Sequence, residues 1–259
     1  MTDFHALQNK TVVFIGGGNM AGAMIGGLLT AKRCHDLTLT VGVSDKNTDK
    51  REWFASQGVL TATPDTAHEL ITKADVVVLA VKPQVLMDVA PSLAPYLADK
   101  LVLSVLAGVP CATLQRALGC GRVVRAMPNL PSAVGAGATG LYADETASPS
   151  DRDVCEAVMT SCGMAVWVDD ETKLHAVTAV AGSAPAYFFY VLEHMTAQAV
   201  AMGLTADDAH RLAVQSMIGA GLLTKDGDPQ ALRMSVTSKG GTTAPALASL
   251  HRADPSAAT

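Results

Sequence analysis

The residues best placed to do chemistry begin with a glycine-rich stretch, FIGGGNMAGAMIGG, from Phe14 to Gly27. Within it, positions 16–21 read G-x-G-x-x-A and follow TVVFI, a run typical of a buried strand. A turn of this composition lets the backbone approach a phosphate closely, and it directs the free N–H groups of the next helix at that phosphate. We therefore predict a dinucleotide pyrophosphate site at Gly16, Gly18, Asn19 and Met20.

The same stretch has an alternative interpretation as a membrane helix. No charged residue occurs in positions 11–31, and Gly18, Gly22 and Gly26 are four residues apart, as in packed membrane helices. Six glycines and Asn19 lie in that run, however, and each glycine costs about 1 kcal/mol relative to alanine in a helix. The turn is favoured, with Gly22 and Gly26 expected on the helix face that packs closely on the sheet.

A second cofactor contact is predicted where the strand LTLTVGV ends. An aspartate there typically accepts from the ribose 2′-hydroxyl of NAD, whereas a serine with a cation accommodates the 2′-phosphate of NADP. Both patterns are present, because Asp45 lies between Ser44 and Lys46. We predict NADP, bound by Ser44 and Lys46, with NAD as the open alternative.

The elements that must position these residues alternate between short apolar runs and segments of helical period. TVVFI, LTLTVGV, DVVVLAV, LVLSVL and RVVRAM are predicted strands, and helices are expected after Pro83 and Pro110. This pattern predicts a Rossmann-like doubly wound α/β sheet over residues 1–168. Residues 169–259 are predicted to be all-helical, without a low-complexity linker before them.

A third candidate site is TSKGGTT, from Thr237 to Thr243. Two glycines before an expected helix start can form a concavity of backbone N–H groups that suits a carboxylate. Ser238, Gly240, Gly241 and Thr242 are the candidate contacts. The alternative is an ordinary loop in which a threonine caps the helix.

Composition excludes several function classes. The net charge is −5 and the basic residues are scattered, which disfavours nucleic acid and acidic membranes as partners. The five cysteines form no C-x-x-C pair and no metal-binding spacing with the histidines, so we expect reduced thiols and no metal site. No signal-peptide pattern opens the sequence, and a cytoplasmic enzyme is expected.

Together, the motifs FIGGGNM, AVKPQ, SVLAGV, RAMPNLP, AVAGSAPAYFFYVLE and TSKGGTT resemble the Δ1-pyrroline-5-carboxylate reductase family. The resemblance implies hydride transfer from NAD(P)H to the cyclic imine of pyrroline-5-carboxylate, which gives L-proline in the last step of proline biosynthesis. It also implies a helical C-terminal dimerisation domain, and a homodimer or a decamer built as a pentamer of dimers.

The resemblance also implies roles for individual residues. Thr243 aligns with a threonine thought to hydrogen-bond the ring nitrogen of the substrate, and it is our catalytic candidate. Further cofactor contacts are implied for Val81, Lys82, Pro83, Ala107, Gly108 and Asn129. For Asn129, a turn role without function is the alternative.

The sequence leaves two rival functions open. A hydroxyacid dehydrogenase of the 6-phosphogluconate dehydrogenase type would share the two-domain layout but needs a general base, and AVAGSAPAYFF contains no lysine or histidine. A non-catalytic NADP-sensing protein would not need TSKGGTT.

Gly182 and Pro185 predict a kink or break in the helix that contains them.

Overall fold

The computed structural model describes residues 3–238 and 241–252. Within them, a single eight-stranded sheet is formed by β1 (Thr11–Ile15), β2 (Thr40–Ser44), β3 (Leu60–Ala62), β4 (Val76–Leu79), β5 (Leu101–Ser104), β6 (Val123–Met127), β7 (Gly137–Ala143) and β8 (Gly163–Trp167). The strand order is β3-β2-β1-β4-β5-β6-β7-β8. The predicted Rossmann-like fold is confirmed, and all five predicted strands are present as β1, β2, β4, β5 and β6; strands β3, β7 and β8 were not among the five.

Register brings the carboxyl ends of the central strands to one edge of the sheet. Ile15 pairs with Ser44 on one side and with Leu79 on the other, and Leu79 pairs in turn with Ser104. These pairings are parallel, whereas β6 and β7 are antiparallel. The strand order reverses between β1 and β4, because β2 and β3 lie on one side of β1 whereas β4 and the later strands lie on the other. This is the switch point where open α/β sheets bind ligands.

The helices connect and flank the strands. They are α1 (Asn19–Cys34), α2 (Thr48–Ser56), α3 (Ala67–Ile71), α4 (Leu86–Leu93), α5 (Cys111–Leu118), α6 (Pro149–Thr160), α7 (Leu174–Val177), α8 (Ala184–Ala201), α9 (Ala206–Leu223), α10 (Pro229–Ser235) and α11 (Thr243–Arg252). A π-helical turn, Thr178–Gly182, separates α7 from α8. Proline does begin new helical structure as predicted, since Pro83 starts a 3-10 turn before α4 and Pro110 precedes α5.

The core consists of two apolar layers, one on each face of the sheet. Strand β4 is buried throughout, with Val76 and Val78 in one layer and Val77 and Leu79 in the other. Successive residues of a strand point to opposite faces, so a strand covered on both sides must be apolar at every position. Each fully buried side chain of this kind contributes about 1.5–3 kcal/mol.

Helix α1 packs on the sheet through a face different from the predicted one. Its buried residues are Ala21, Met24, Ile25, Leu28 and Ala31. A Cβ added at Gly22 or Gly26 would meet nothing within 4 Å, so the prediction that these glycines allow close packing is wrong. Gly27 instead allows a close approach of α1 to the end of α6, because its Cβ would lie 2.6 Å from the carbonyl oxygen of Ser161.

Two compact units divide the chain between Ala186 and Tyr187. The first contains the sheet, and the second contains α9, α10, α11 and most of α8. The domain boundary that we predicted at residue 168 remains a prediction.

One helical segment, Glu171–Ala201, is long and apolar enough to span a membrane by length and composition alone. Its most apolar window has a mean hydropathy of 1.2 and is only 11% buried. The aromatic residues Tyr187, Phe188, Phe189 and Tyr190 are each more than half exposed. This apolar surface therefore has no cover in the described part of the chain.

Candidate active site

The predicted pyrophosphate turn lies between the ends of β1, β2 and β4. Gly16 has φ +98°, a conformation that glycine adopts without strain, and its N–H donates to the carbonyl of Ser44 at 2.8 Å. A Cβ at Gly16 would lie 2.8 Å from the carbonyl oxygen of Ala80. No other residue fits here, because both the backbone conformation and the neighbouring strand exclude a side chain.

The second glycine of the turn is fixed by contacts with the end of β2 and with α2. The N–H of Gly17 donates to Asp45 Oδ2 at 2.7 Å, and a Cβ at Gly17 would lie 2.8 Å from the ring of Phe54. The other carboxylate oxygen of Asp45 accepts from the N–H of Asn47 at 2.8 Å. The Asp45 carboxylate is thus part of the turn itself.

Packing within the protein does not require a glycine at the third position of the turn, Gly18. Gly18 is the N-cap of α1, and a Cβ there would meet only the carbonyl oxygen of Ala80, at 4.0 Å. The start of a 16-residue helix thus presents its backbone N–H groups beside open space. Predicted contacts Asn19 and Met20 form the first turn of this helix, and the geometry fits an anionic phosphate group.

At the predicted adenosine end, Ser44 and Lys46 differ in access. Ser44 is only 4% exposed, whereas Lys46 is exposed to solvent. Sequence analysis missed Arg51, whose guanidinium donates to the carbonyl of Asp45 at 2.8 Å and to Thr48 Oγ1 at 3.1 Å. Its position in the first turns of α2, six residues after Asp45, was the available signal.

The loops predicted at the nicotinamide end follow β4 and β5 at the same edge of the sheet. Val81 and Pro83 are half-buried, and Lys82 is exposed as the N-cap of the short 3-10 turn. Ala107 and Gly108 are exposed beyond β5, with Gly108 at φ +73°. The structure brings these five residues to the carboxyl edge where the glycine turn lies.

Asn129, a predicted cofactor contact, bonds to protein at both ends of its amide. Its Oδ1 accepts from the N–H of Ala138 at 2.9 Å, and its Nδ2 donates to the carbonyl of Ala181 at 3.1 Å. The residue is 8% exposed. It therefore joins the end of β6 to the start of β7 and to the π-helical turn.

A partly buried ion pair was also missed by sequence analysis. Glu171 Oε1 accepts from Arg125 Nη1 and from the N–H of Cys111, both at 2.7 Å. Burial raises the pKa of the Glu171 carboxyl, but the hydrogen bonds from Arg125 and Cys111 outweigh this effect and lower it. An arginine in the otherwise apolar strand VVRAM was the only sequence signal.

The thiol of Cys111 is held in its neutral form at neutral pH. Its pKa is raised to about 12, first by burial and then by the negative charge of Glu171. A thiol with this pKa stays protonated and is a poor nucleophile.

The predicted carboxylate loop lies in the second unit, before α11. The N–H of Gly241 donates to the carbonyl of Ser238 at 3.1 Å, and a Cβ at Gly241 would lie 2.6 Å from Ser238 Oγ. The helix begins at Thr243, directly after Gly241 and Thr242, so the predicted helix start is confirmed. Gly240 lies outside the described residues.

Comparisons with known proteins agree with these features. A family model described as pyrroline-5-carboxylate reductase dimerisation matches residues 171–259, and one described as NADP oxidoreductase, coenzyme F420-dependent, matches residues 11–108. A pyrroline-5-carboxylate reductase of Haemophilus influenzae is 42% identical, covering 93% of this chain and 89% of its own length. One from Pseudomonas aeruginosa is 40% identical, with 95% and 90% covered.

Two solved structures are also similar. A pyrroline-5-carboxylate reductase from Coxiella burnetii has a TM-score of 0.84 and 35% identity, covering 95% of this chain and 92% of that one. A Plasmodium falciparum pyrroline carboxylate reductase with NADP bound has a TM-score of 0.82 and 25% identity, with 95% and 91% covered. The likeness extends over nearly the whole length of each chain, and this chain belongs to the pyrroline-5-carboxylate reductase family.

Proposed function

We propose that this chain reduces 1-pyrroline-5-carboxylate to L-proline with NADPH as its preferred hydride donor. As a member of its family it is an NAD(P)-binding oxidoreductase of proline biosynthesis. The observation that supports the proposal most directly is the glycine turn. A Cβ at Gly18 would meet only the carbonyl oxygen of Ala80, at 4.0 Å, so space is open beside the N-terminus of α1. The C-terminal part of the same chain matches the dimerisation family.

The proposed cofactor contacts form two groups at the carboxyl edge of the sheet, one at the glycine turn after β1 and one in the loops after β4 and β5. Backbone N–H groups of Gly18, Asn19 and Met20 hold the pyrophosphate at the start of α1, and Gly16 allows its approach. The loops Val81–Pro83 and Ala107–Gly108 border the nicotinamide ring. When bound, the cofactor supplies the hydride; the protein holds the ring against the imine carbon and excludes water.

The preference for NADPH is argued from charge at the end of β2. The Asp45 carboxylate accepts from Gly17 and Asn47, which turns it toward the backbone. Lys46 is exposed beside it, and Arg51 is held on the carbonyl of Asp45. Two cations near this position favour a 2′-phosphate, and we assign Lys46 the main contact, with Ser44 contributing from its buried position.

For the substrate, we propose that the loop before α11 binds the carboxylate. Ser238 supplies a hydroxyl donor, and Gly240 and Thr242 supply backbone donors at the helix N-terminus. Gly241 shapes this loop through its own N–H, which donates to the carbonyl of Ser238. The Thr243 hydroxyl accepts from the protonated ring nitrogen and orients the imine. A strong acid is not needed, because an imine nitrogen is basic enough to arrive protonated.

The hydroxyacid dehydrogenase alternative is weaker, because it needs a general base. Lys173, the lysine nearest AVAGSAPAYFF in the sequence, has its Nζ 2.5 Å from Asp169 Oδ1. The hydrogen bond and charge of Asp169 raise the pKa of Lys173, so it stays protonated at neutral pH. A protonated lysine cannot remove the proton of a hydroxyl group.

We further propose that the chain works in the cytoplasm as a homodimer or as a decamer of five dimers. A helix that is apolar around its circumference must be buried. The exposed aromatic residues of α8 lie inside the segment that matches the dimerisation family, so a second copy of this chain is the proposed cover.

The testing experiment is a turnover assay with both cofactors. Purified protein and pyrroline-5-carboxylate should consume NADPH faster than NADH, with proline as the product. Binding of NADPH without turnover would support the NADP-sensing alternative, and reduced-cofactor formation from a 3-hydroxyacid and the oxidised cofactor would support the dehydrogenase.

A further inference from the structure

The π-helical turn Thr178–Gly182, called the π-turn below, contains a carbonyl group that the helix itself cannot satisfy. Its i→i+5 bond runs from the N–H of Ser183 to the carbonyl of Thr178 at 2.8 Å. In a regular helix the carbonyl of Ala181 would accept from residue 185, but Pro185 has no N–H. The Nδ2 group of Asn129 donates to that carbonyl instead, at 3.1 Å.

The amide of Asn129 is itself fixed in orientation. Its Oδ1 accepts from the N–H of Ala138 at 2.9 Å, which directs Nδ2 toward Ala181. The side chain is 8% exposed, so water competes little for either bond. One side chain therefore joins the end of β6, the start of β7 and the π-turn.

Packing also presses the π-turn and α7 on the sheet. A Cβ at Gly182 would lie 3.2 Å from Cε of Met127, the last residue of β6. A Cβ at Gly140 in β7 would lie 2.7 Å from the Val177 side chain. The π-turn is thus held at the carboxyl end of β6 by two small residues and one amide.

This location gives the π-turn a relation to the chemistry. In a sheet ordered 3-2-1-4-5-6, the dinucleotide crosses the switch point and its two halves lie over the two halves of the sheet. The pyrophosphate site lies at β1, and the loops that we assign to the nicotinamide end follow β4 and β5. The nicotinamide half of the cofactor therefore lies on the side of the switch point that contains β6. π-turns in helices also occur frequently at functional sites.

We propose that Asn129 is a positioning residue for hydride transfer, which holds the π-turn against the carboxyl end of β6 so that its backbone borders the nicotinamide site. This proposal rests on the proposed reductase function. It reassigns Asn129 from a cofactor contact to a residue that acts through Ala181. A displacement of about 1 Å in such a wall can lower a rate about 100-fold.

The test uses Asn129→Asp, which keeps the acceptor for Ala138 and removes the donor to Ala181. We expect the single-turnover hydride-transfer rate to fall about 10- to 100-fold, with the Kd for NADPH changed by less than about twofold. Amide exchange of residues 178–186, measured without substrate, should accelerate. Asn129→Ser, which avoids a carboxylate facing a carbonyl, serves if Asn129→Asp does not fold.

Gln115→Glu is the matched control. Gln115 Nε2 donates to the carbonyl of Gly121 and to Asp144, both at 2.9 Å, so the same amide-to-acid change breaks a tie before β6, at the opposite edge. The control should lose stability but keep the hydride-transfer rate within about twofold. Three outcomes would overturn the proposal. The hydride-transfer rate could fall equally in Asn129→Asp and Gln115→Glu, or Asn129→Asp could lose NADPH affinity while keeping a normal rate. In the third outcome, amide exchange of residues 178–186 would be unchanged in Asn129→Asp. Inactivity of the wild-type protein would instead contradict the reductase function.

Discussion

At the scale of single residues, Thr243 is the proposed catalytic residue, and it lies at the start of a helix. As the first residue of α11 it follows the glycine loop, and its hydroxyl is the contact that we propose to the ring nitrogen. Thr243→Ala should lower kcat about 3- to 10-fold, the equivalent of one hydrogen bond, while the Kd for NADPH stays within about twofold. Steady-state rates and cofactor titration measure these quantities.

Thr224→Ala is the matched change for Thr243→Ala. The Thr224 hydroxyl donates to the carbonyl of Gly221 at 2.8 Å after α9, so its removal costs a similar hydrogen bond. Normal kcat in the Thr243 variant, or loss of NADPH binding, would show that Thr243 has been misassigned.

Lys46 provides a second residue-scale prediction, on cofactor choice. Lys46→Ala should weaken NADPH about 3- to 10-fold and leave NADH nearly unchanged, because only NADPH has a 2′-phosphate. Since the side chain is exposed, the effect should shrink as salt concentration rises. Lys73→Ala, at an exposed position before β4, is the control and should affect neither cofactor. An equal loss of affinity for NADPH and NADH would show that Lys46 does not contact the 2′-phosphate and is only one of the surface charges.

At the scale of elements, the ion pair of Glu171 with Arg125 ties α5 and the segment before α7 to β6. Side chains at this pair are 12% and 27% exposed for Arg125 and Glu171, so water screens it only in part. Glu171→Gln should lower stability by about 1.5–3 kcal/mol near neutral pH, as for hydrogen bonds to charged groups. Thermal unfolding of both proteins measures the difference.

The pH dependence of this tie has a definite sign. Because the folded-state pKa of Glu171 is lowered from 4.5, its stabilisation is full above about pH 4.5 and is lost as pH falls through the folded value. The melting temperatures of the wild type and the Gln variant should therefore converge in acid. Glu145→Gln, an exposed control, should show no such convergence, and a constant difference down to low pH would contradict the prediction.

Packing of α1 makes a second element-scale prediction, with its own control one residue away. Gly27→Ala should destabilise the protein by about 1–3 kcal/mol, because the Cβ would lie 2.6 Å from the Ser161 carbonyl oxygen. Gly26→Ala meets nothing within 4 Å and should stabilise by up to about 1 kcal/mol through helix propensity. Urea unfolding of both variants checks the pair, and equal shifts would contradict the packing.

The strands, helix α1 and the ion pair of Arg125 with Glu171 show what the sequence could and could not predict. Apolar runs such as TVVFI and DVVVLAV predicted strands because burial on both faces demands apolar side chains at each position. The spacing of Gly22 and Gly26 predicted a shared helix face correctly, but spacing cannot tell which face meets the sheet. The tie between Arg125 and Glu171 joins positions 46 residues apart, so no local pattern contains it.

At the scale of the whole molecule, the exposed aromatic surface of α8 requires a partner. Phe188 is 55% exposed within a run of four aromatic residues, in the segment matching the dimerisation family. Burial of such side chains dominates the energetics of association, and a charge introduced there would have to be desolvated without a counterion. Phe188→Glu should therefore lower the mass of the assembly in solution at a given protein concentration.

Analytical ultracentrifugation over a range of concentrations gives the outcome. Met87→Glu, an equally drastic change at an exposed position of α4, should leave the mass of the assembly unchanged, since α4 lies outside the dimerisation segment. If the interface also completes the active site, the Phe188 variant should lose activity in proportion to the fraction of smaller species, and raising its concentration should restore both together. A variant that keeps the wild-type mass would place the interface elsewhere, whereas a smaller species with full activity would show that each chain works alone.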